Sequence, residues 1–174
     1  MELGTYLPYL VNRVGQRFIS DITPVLSEAG VDIQSWRVLI ALYQRGAQTV
    51  GGLSDLTSIN FSTLSRVLGR MEKKDLVRRV RDAEDARSFT VELTANGKSV
   101  TETILPQAAA LEAKVTGDFS EAELAMLRQL LGKLYVGLSD YSEERDDRLA
   151  GEGSPGLKIM PPPVAPDRKK PPDR

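Results

Sequence analysis

Side-chain chemistry needs a nucleophile with its base, or a set of metal ligands, and this chain lacks the two residue types that most often provide them. It contains no histidine and no cysteine. Disulfides, thiol redox sensing, Cys/His zinc sites and every His-assisted nucleophile are thereby excluded. A Ser or Thr nucleophile would need Lys or a carboxylate as its base, and no Gly-rich phosphate loop or nucleophile elbow adjoins any serine. No catalytic residue, metal ligand or cofactor is therefore expected. What remains is charge. Between Arg66 and Arg81 stand Arg66, Arg70, Lys73, Lys74, Arg78, Arg79 and Arg81, opposed only by Glu72 and Asp75. Cations at this density suit a polyanion. The net charge of −1 and pI near 5.6 run against a nucleic-acid binder, for which a domain pI above about 9 is the usual expectation. The distribution matters more than the sum, because acids dominate from Asp118 to Glu152 and leave one positive face and one negative end. Directly after the basic run, Asp82, Glu84 and Asp85 interrupt it just before Arg87.

The elements that must position these cations follow from apolar spacing. Leu3, Leu7, Leu10, Val14, Phe18, Ile22 and Val25 recur every three to four residues and predict one helix over about residues 3–28. Arg17 lies at the edge of that stripe, as an ion-paired or snorkelling arginine or as a contact for a ligand carboxylate. Gly30 ends the element, and Asp32 caps DIQSWRVLIALYQRG, whose buried face is expected to be Trp36, Leu39, Ile40 and Tyr43. Thr49 caps a short helix through LSDLTSI, and a break at Asn60 precedes STLSRVLGRMEKKD. There Leu64, Val67, Leu68 and Met71 form the i, i+3, i+4, i+7 set of a buried face. The opposite face collects Ser62, Arg66, Gly69, Arg70 and Lys73.

LVRRVR and SFTVEL alternate with period two, Phe89, Val91 and Leu93 against Ser88, Thr90 and Glu92, and read as the arms of a β-hairpin around DAEDAR. Two short helices followed at once by a hairpin is the order of a winged helix-turn-helix. Thr94 then caps a helix to about Gly117, and Ser120 with Glu123 forms a capping box for a leucine-rich one. These two helices and the first carry more apolar surface than a small winged module covers, so a second copy of the chain is the expected cover. The Pro- and Gly-rich residues 149–174 have the composition of a disordered tail. The fold class expected is mainly α with a small β-hairpin wing. Residues 1–30 are expected to form an N-terminal dimerisation helix, 31–93 a winged helix-turn-helix DNA-binding module and 94–148 the C-terminal dimerisation helices. With no apolar run of about 20 residues and no signal-peptide pattern at the start, no membrane partner is expected and the cytoplasm is the expected location.

In QSWRVL, in STLSRVLGRMEKKDLVRRV and above all in DAEDAR followed by VELTANG, the chain resembles the MarR (multiple antibiotic resistance regulator) family of winged-helix transcription factors. The likeness runs from about Leu3 to Glu144, and the wing pattern Asp-x-x-Asp-x-Arg before Leu-Thr-x-x-Gly is its most specific part. The resemblance implies that Ser62, Thr63, Ser65 and Arg66 reach base edges or phosphates in the major groove of double-stranded DNA. It also implies that Arg87 enters the minor groove with Asp85 orienting it, and that Arg70, Lys73, Arg78 and Arg79 contact phosphates or support those that do. A planar, weakly hydrated guanidinium suits a narrow groove, in agreement. The chain departs from the family where Asp75 replaces a usual Gly and Gly69 a usual polar residue.

The expected function is that of a homodimeric, sequence-specific transcription regulator and not an enzyme, a repressor on an inverted-repeat operator. Control by a phenolic or aromatic-acid effector, with Arg17, Trp36 and Tyr43 lining its pocket, is implied by the resemblance alone. The alternative is a winged-helix protein–protein interaction module without specific DNA binding, which the low pI favours.

Overall fold

The computed structural model describes residues 2–81 and 89–149, with side chains to residue 139. The chain divides after Phe119 into two compact units. In the first, α1 (Leu7–Glu28) begins with a proline in its opening turn, where a missing N–H costs nothing, and runs on through Pro24. Gly30 turns the chain at φ 68°, a left-handed conformation that a side chain disfavours. Helix α2 (Ile33–Arg45) follows, with the Asp32 carboxylate accepting the Ser35 amide at 2.7 Å. Strand β1 (Gln48–Thr49) leads into α3 (Val50–Thr57), capped by the Thr49 hydroxyl, and α4 (Phe61–Lys73), capped by Asn60. Strands β2 (Val77–Arg81) and β3 (Phe89–Leu93) pair antiparallel in the register Arg78 to Glu92 and Arg81 to Phe89, and β1 adds to the far edge of β3. Helix α5 (Ala95–Val115) closes the unit.

One core lies beneath α4. Leu64, Val67, Leu68 and Met71 meet Leu26, Val38, Leu39, Leu42, Leu53, Val77, Val91 and Ile104 there. The helical spacing in α4 is thus expressed as burial. In α2 the expectation needs correction, because Ser35, Val38, Leu39 and Leu42 are buried while Trp36 and Ile40 are only half-buried and Tyr43 is exposed. Apolar residues cover most of this helix's circumference, and the large amphipathic rings take the edge rather than the centre. Phe89, the first residue of β3, lies exposed beneath the Arg81 guanidinium, whose Cζ is 5.6 Å from the ring centroid.

A junction between α4, β2 and α5 holds the winged module together. Asp75, the residue after the cap of α4, takes φ 54°, so this aspartate adopts the left-handed turn that a glycine would enter more easily. Thr94 accepts the Gly97 amide to cap α5, donates its hydroxyl to the Asp75 carbonyl, and donates its own amide to the Leu76 carbonyl. The Asn96 side chain reaches the Lys74 carbonyl. Any side chain at Gly97 would collide with the Leu76 carbonyl oxygen, so the Leu-Thr-x-x-Gly pattern is a close backbone packing site.

The second unit contains α6 (Glu121–Leu149). The Glu123 carboxylate accepts the Ser120 amide and hydroxyl at 2.8 and 2.7 Å, and the Ser120 hydroxyl accepts the Glu123 amide. The hydroxyl, then the amide, hold the Glu123 carboxyl below its usual range. Among the described residues no helix is long and apolar enough to cross a membrane.

Candidate nucleic-acid interface

Helices α3 and α4 meet through Ser58, Ile59 and Asn60. Ser58 adopts φ 54°, and the Ser54 hydroxyl holds the turn by donating to the Ile59 carbonyl at 2.7 Å. Burial of Ile59 and of the four apolar residues of α4 fixes which way the helix turns its polar side. Ser62, Ser65, Arg66, Arg70 and Lys73 are exposed and Thr63 is half-buried. The face expected from helical spacing is therefore one surface of one helix.

Its groups differ in how far they are already engaged. The Ser62 hydroxyl donates to Asn60 Oδ1 at 3.0 Å, and the same oxygen accepts the Thr63 amide at 2.9 Å. Arg70 pairs with Asp32 at 3.0 Å, tying α4 to the start of α2. Burial pushes the Asp32 carboxyl up, but hydrogen bonds from the Ser35 amide and hydroxyl and from Arg70 outweigh it and hold the group below its ordinary value. Lys74 donates to the Gly30 carbonyl at 2.8 Å. Arg78 pairs with its cross-strand neighbour Glu92 at 2.6 Å, and Arg79 reaches back to Glu72 on α4 at 3.4 Å. Arg66 and Lys73 have no ion pair within the described residues. Arg66 and Lys73 are thus unengaged there, whereas Arg70, Arg78 and Arg79 each face a carboxylate. Arg81, over Phe89 at the base of the wing, is a further exposed cation that periodicity alone did not single out. Asp85 and Arg87, with Asp82 and Glu84, lie outside the described residues.

The three ligand candidates lie on α1 and α2. Trp36 and Tyr43 lie two turns apart on α2, and the Tyr43 hydroxyl meets Glu102 of α5 at 3.3 Å. Arg17 is 79% exposed and pairs with Asp21 one turn along α1 at 3.1 Å. No group of three or more His, Cys, Asp or Glu among the described residues has a metal-binding arrangement.

Comparison with known proteins agrees with this geometry. The MarR family pattern matches residues 31–89, the span from α2 to the start of β3. The transcriptional activatory protein BadR of Rhodopseudomonas palustris is 30% identical over 156 residues, 87% of each chain. The chain belongs to the MarR family. It is thus a DNA-binding transcription regulator and not an enzyme. Among solved structures, a MarR-family regulator from Silicibacter pomeroyi is 29% identical with a TM-score of 0.73, covering 80% of this chain and 93% of the other. A mutant of E. coli MarR, complexed with operator DNA, is 26% identical with a TM-score of 0.67, covering 74% and 92%. Bordetella bronchiseptica BpsR, whose DNA binding is regulated by 6-hydroxynicotinic acid, is 25% identical with a TM-score of 0.66, covering 74% and 98%. The mainly helical architecture with a three-stranded antiparallel wing is that of the MarR winged helix.

Proposed function

We propose that this MarR-family regulator is a homodimer that reads an inverted-repeat operator, represses by occupying it, and releases it when an aromatic acid binds. The observation that carries the reading is the polar face of α4, where Arg66 and Lys73 stand exposed beside Thr63 and Ser65 at the helix-turn-helix. Ser62, Thr63, Ser65 and Arg66 meet base edges or nearby phosphates, and Lys73 meets phosphate. Arg70, Arg78 and Arg79 hold the frame, and Arg87, oriented by Asp85, enters the minor groove. Dimerisation through residues 1–30 and 94–148 is supported by exposed Leu7, Leu10, Val14 and Phe18 on α1 and Met126, Leu127, Leu130 and Leu131 on α6.

Regulation of BpsR by 6-hydroxynicotinic acid supports an aromatic-acid effector. Trp36 and Tyr43 offer ring surface for it, and Arg17, exchanging Asp21 for the ligand carboxylate, offers charge. BadR is by name an activator, so a promoter reporter in cells lacking this protein decides the sign. Fluorescence anisotropy tests the DNA contacts. Arg87→Ala weakens specific binding by about 1–3 kcal/mol while sedimentation still gives a dimer. An unchanged dissociation constant removes Arg87 from the interface, and affinity that does not fall with salt contradicts phosphate contact altogether.

A further inference from the structure

The first residue of α4 is the feature left over. Phe61 is 62% exposed, whereas the other large apolar residues of this helix, Leu64, Val67, Leu68 and Met71, are buried. Its ring belongs neither to the core nor to the partly buried residues packed against the core. Across the described residues of α2 to α4, the other large apolar side chain left exposed is Tyr43, whose hydroxyl is engaged by Glu102. Phe61 is therefore an aromatic ring that folding does not use, placed where polar side chains would be expected.

We infer that Phe61 is a specificity residue that packs on the C5 methyl group of a thymine in the major groove. Three observations lead there. The residue opens the recognition helix, and in helix-turn-helix proteins the N-terminal residues of that helix meet base edges. Long side chains on a helix lean toward its N-terminus, which carries the ring toward that end. The polar atoms around it are suited to other tasks: Asn60 Oδ1 is filled by Ser62 and Thr63, while Ser65, one turn on from Phe61, and Arg66 remain to meet polar edges. Among the four bases, only thymine presents an apolar group in the major groove, and a phenyl ring is one of the surfaces that recognises it. The contact removes the ring and the methyl from water together, so it discriminates against cytosine and against uracil, which lack that methyl.

This inference rests on α4 being the helix that enters the groove. Its test begins with the full chain and duplexes selected from a randomised pool, in which wild type enriches a thymine that Phe61→Ala no longer requires. Each thymine of the enriched half-site is then replaced by deoxyuridine, which deletes only the methyl. One replacement should weaken wild-type binding about fourfold and leave Phe61→Ala binding unchanged. Phe61→Leu, which keeps an apolar surface, should retain part of the difference. Thermal unfolding of the variants should match wild type, since the ring lies outside the core. If deoxyuridine is tolerated at every position, or weakens Phe61→Ala as much as wild type, the assignment is overturned although specific DNA binding stands. If wild type enriches no sequence at all, the reading of α4 as a recognition helix fails and this inference with it.

Discussion

Two helices of the first unit each leave a face uncovered, and they leave different things exposed. Helix α4 buries Leu64, Val67, Leu68 and Met71 and exposes Ser65, Arg66, Arg70 and Lys73. Helix α1 buries only Ile22 and Leu26 and exposes Leu7, Leu10, Val14 and Phe18. The first face is polar and charged and is satisfied by water; the second is apolar and gains from being covered by another surface. A monomer has reason to keep the first face exposed but little reason to keep the second. In the proposed account the polar face meets DNA and the apolar stripe meets a second chain, which doubles the DNA contacts without adding any to either chain.

The division of labour can be broken from either side. Val14→Arg places a charge in the apolar stripe without touching the core or α4, so it should yield a folded monomer whose operator affinity falls about 100-fold or more, read by sedimentation and anisotropy. A dimer that survives this change removes α1 from the interface. Arg66→Ala does the opposite. Dimerisation should be unaffected, while specific binding weakens by about 1–3 kcal/mol. If Arg66 meets a phosphate the salt dependence loses about one unit of slope, and if it meets a base the preference at one position relaxes.

How much of this contrast was legible in the sequence depends on distance along the chain. The buried set of α4 and its cationic face are local consequences of helical period, and both stand where the spacing puts them. The caps at Asp32, Thr49, Asn60 and Thr94 were legible for the same reason, since each bond closes over three residues. Tertiary contacts were not. Strand β1 is two residues long and exists only because β3 pairs with it. The pairing of Arg70 with Asp32 spans 38 residues, and that of Arg78 with Glu92 depends on hairpin register. Each engages a cation that the resemblance put among the phosphate contacts or their supports. Gly97 was visible as part of a signature, but its reason, the Leu76 carbonyl where a side chain would have to lie, comes from a segment distant along the chain. The wing tip, with the DAEDAR sequence that carried the resemblance, lies outside the described residues.

Two smaller effects sharpen the contrast by testing the frame rather than either face. Gly97→Ala should lower unfolding free energy by about 1–3 kcal/mol in urea titration, because the new methyl meets backbone, not a side chain that can swing away. No loss of stability would mean the α5 junction is looser than this contact implies. Asp32→Asn keeps a good helix cap but removes the charge that pairs with Arg70, so at pH 7 it should cost less than about 1 kcal/mol, as an exposed ion pair does. The sign with pH follows from the lowered carboxyl. Asp32 stabilises the fold fully above its ordinary value of 3.8, and that contribution is lost as pH falls from there through the depressed folded value. The variant should therefore show a shallower loss of stability below about pH 4, and an acid limb identical to wild type would detach Asp32 from the fold's pH dependence.

The central claim is that the two uncovered faces work together, one chain's helix in each of two major grooves. Sedimentation of the full chain with its enriched duplex tests it most directly. The account predicts two chains per duplex on an inverted repeat whose half-site centres lie about 10 base pairs apart, with no stable complex of one chain on the intact site. One chain bound per site with undiminished affinity, or an enriched sequence without the repeat, would contradict it.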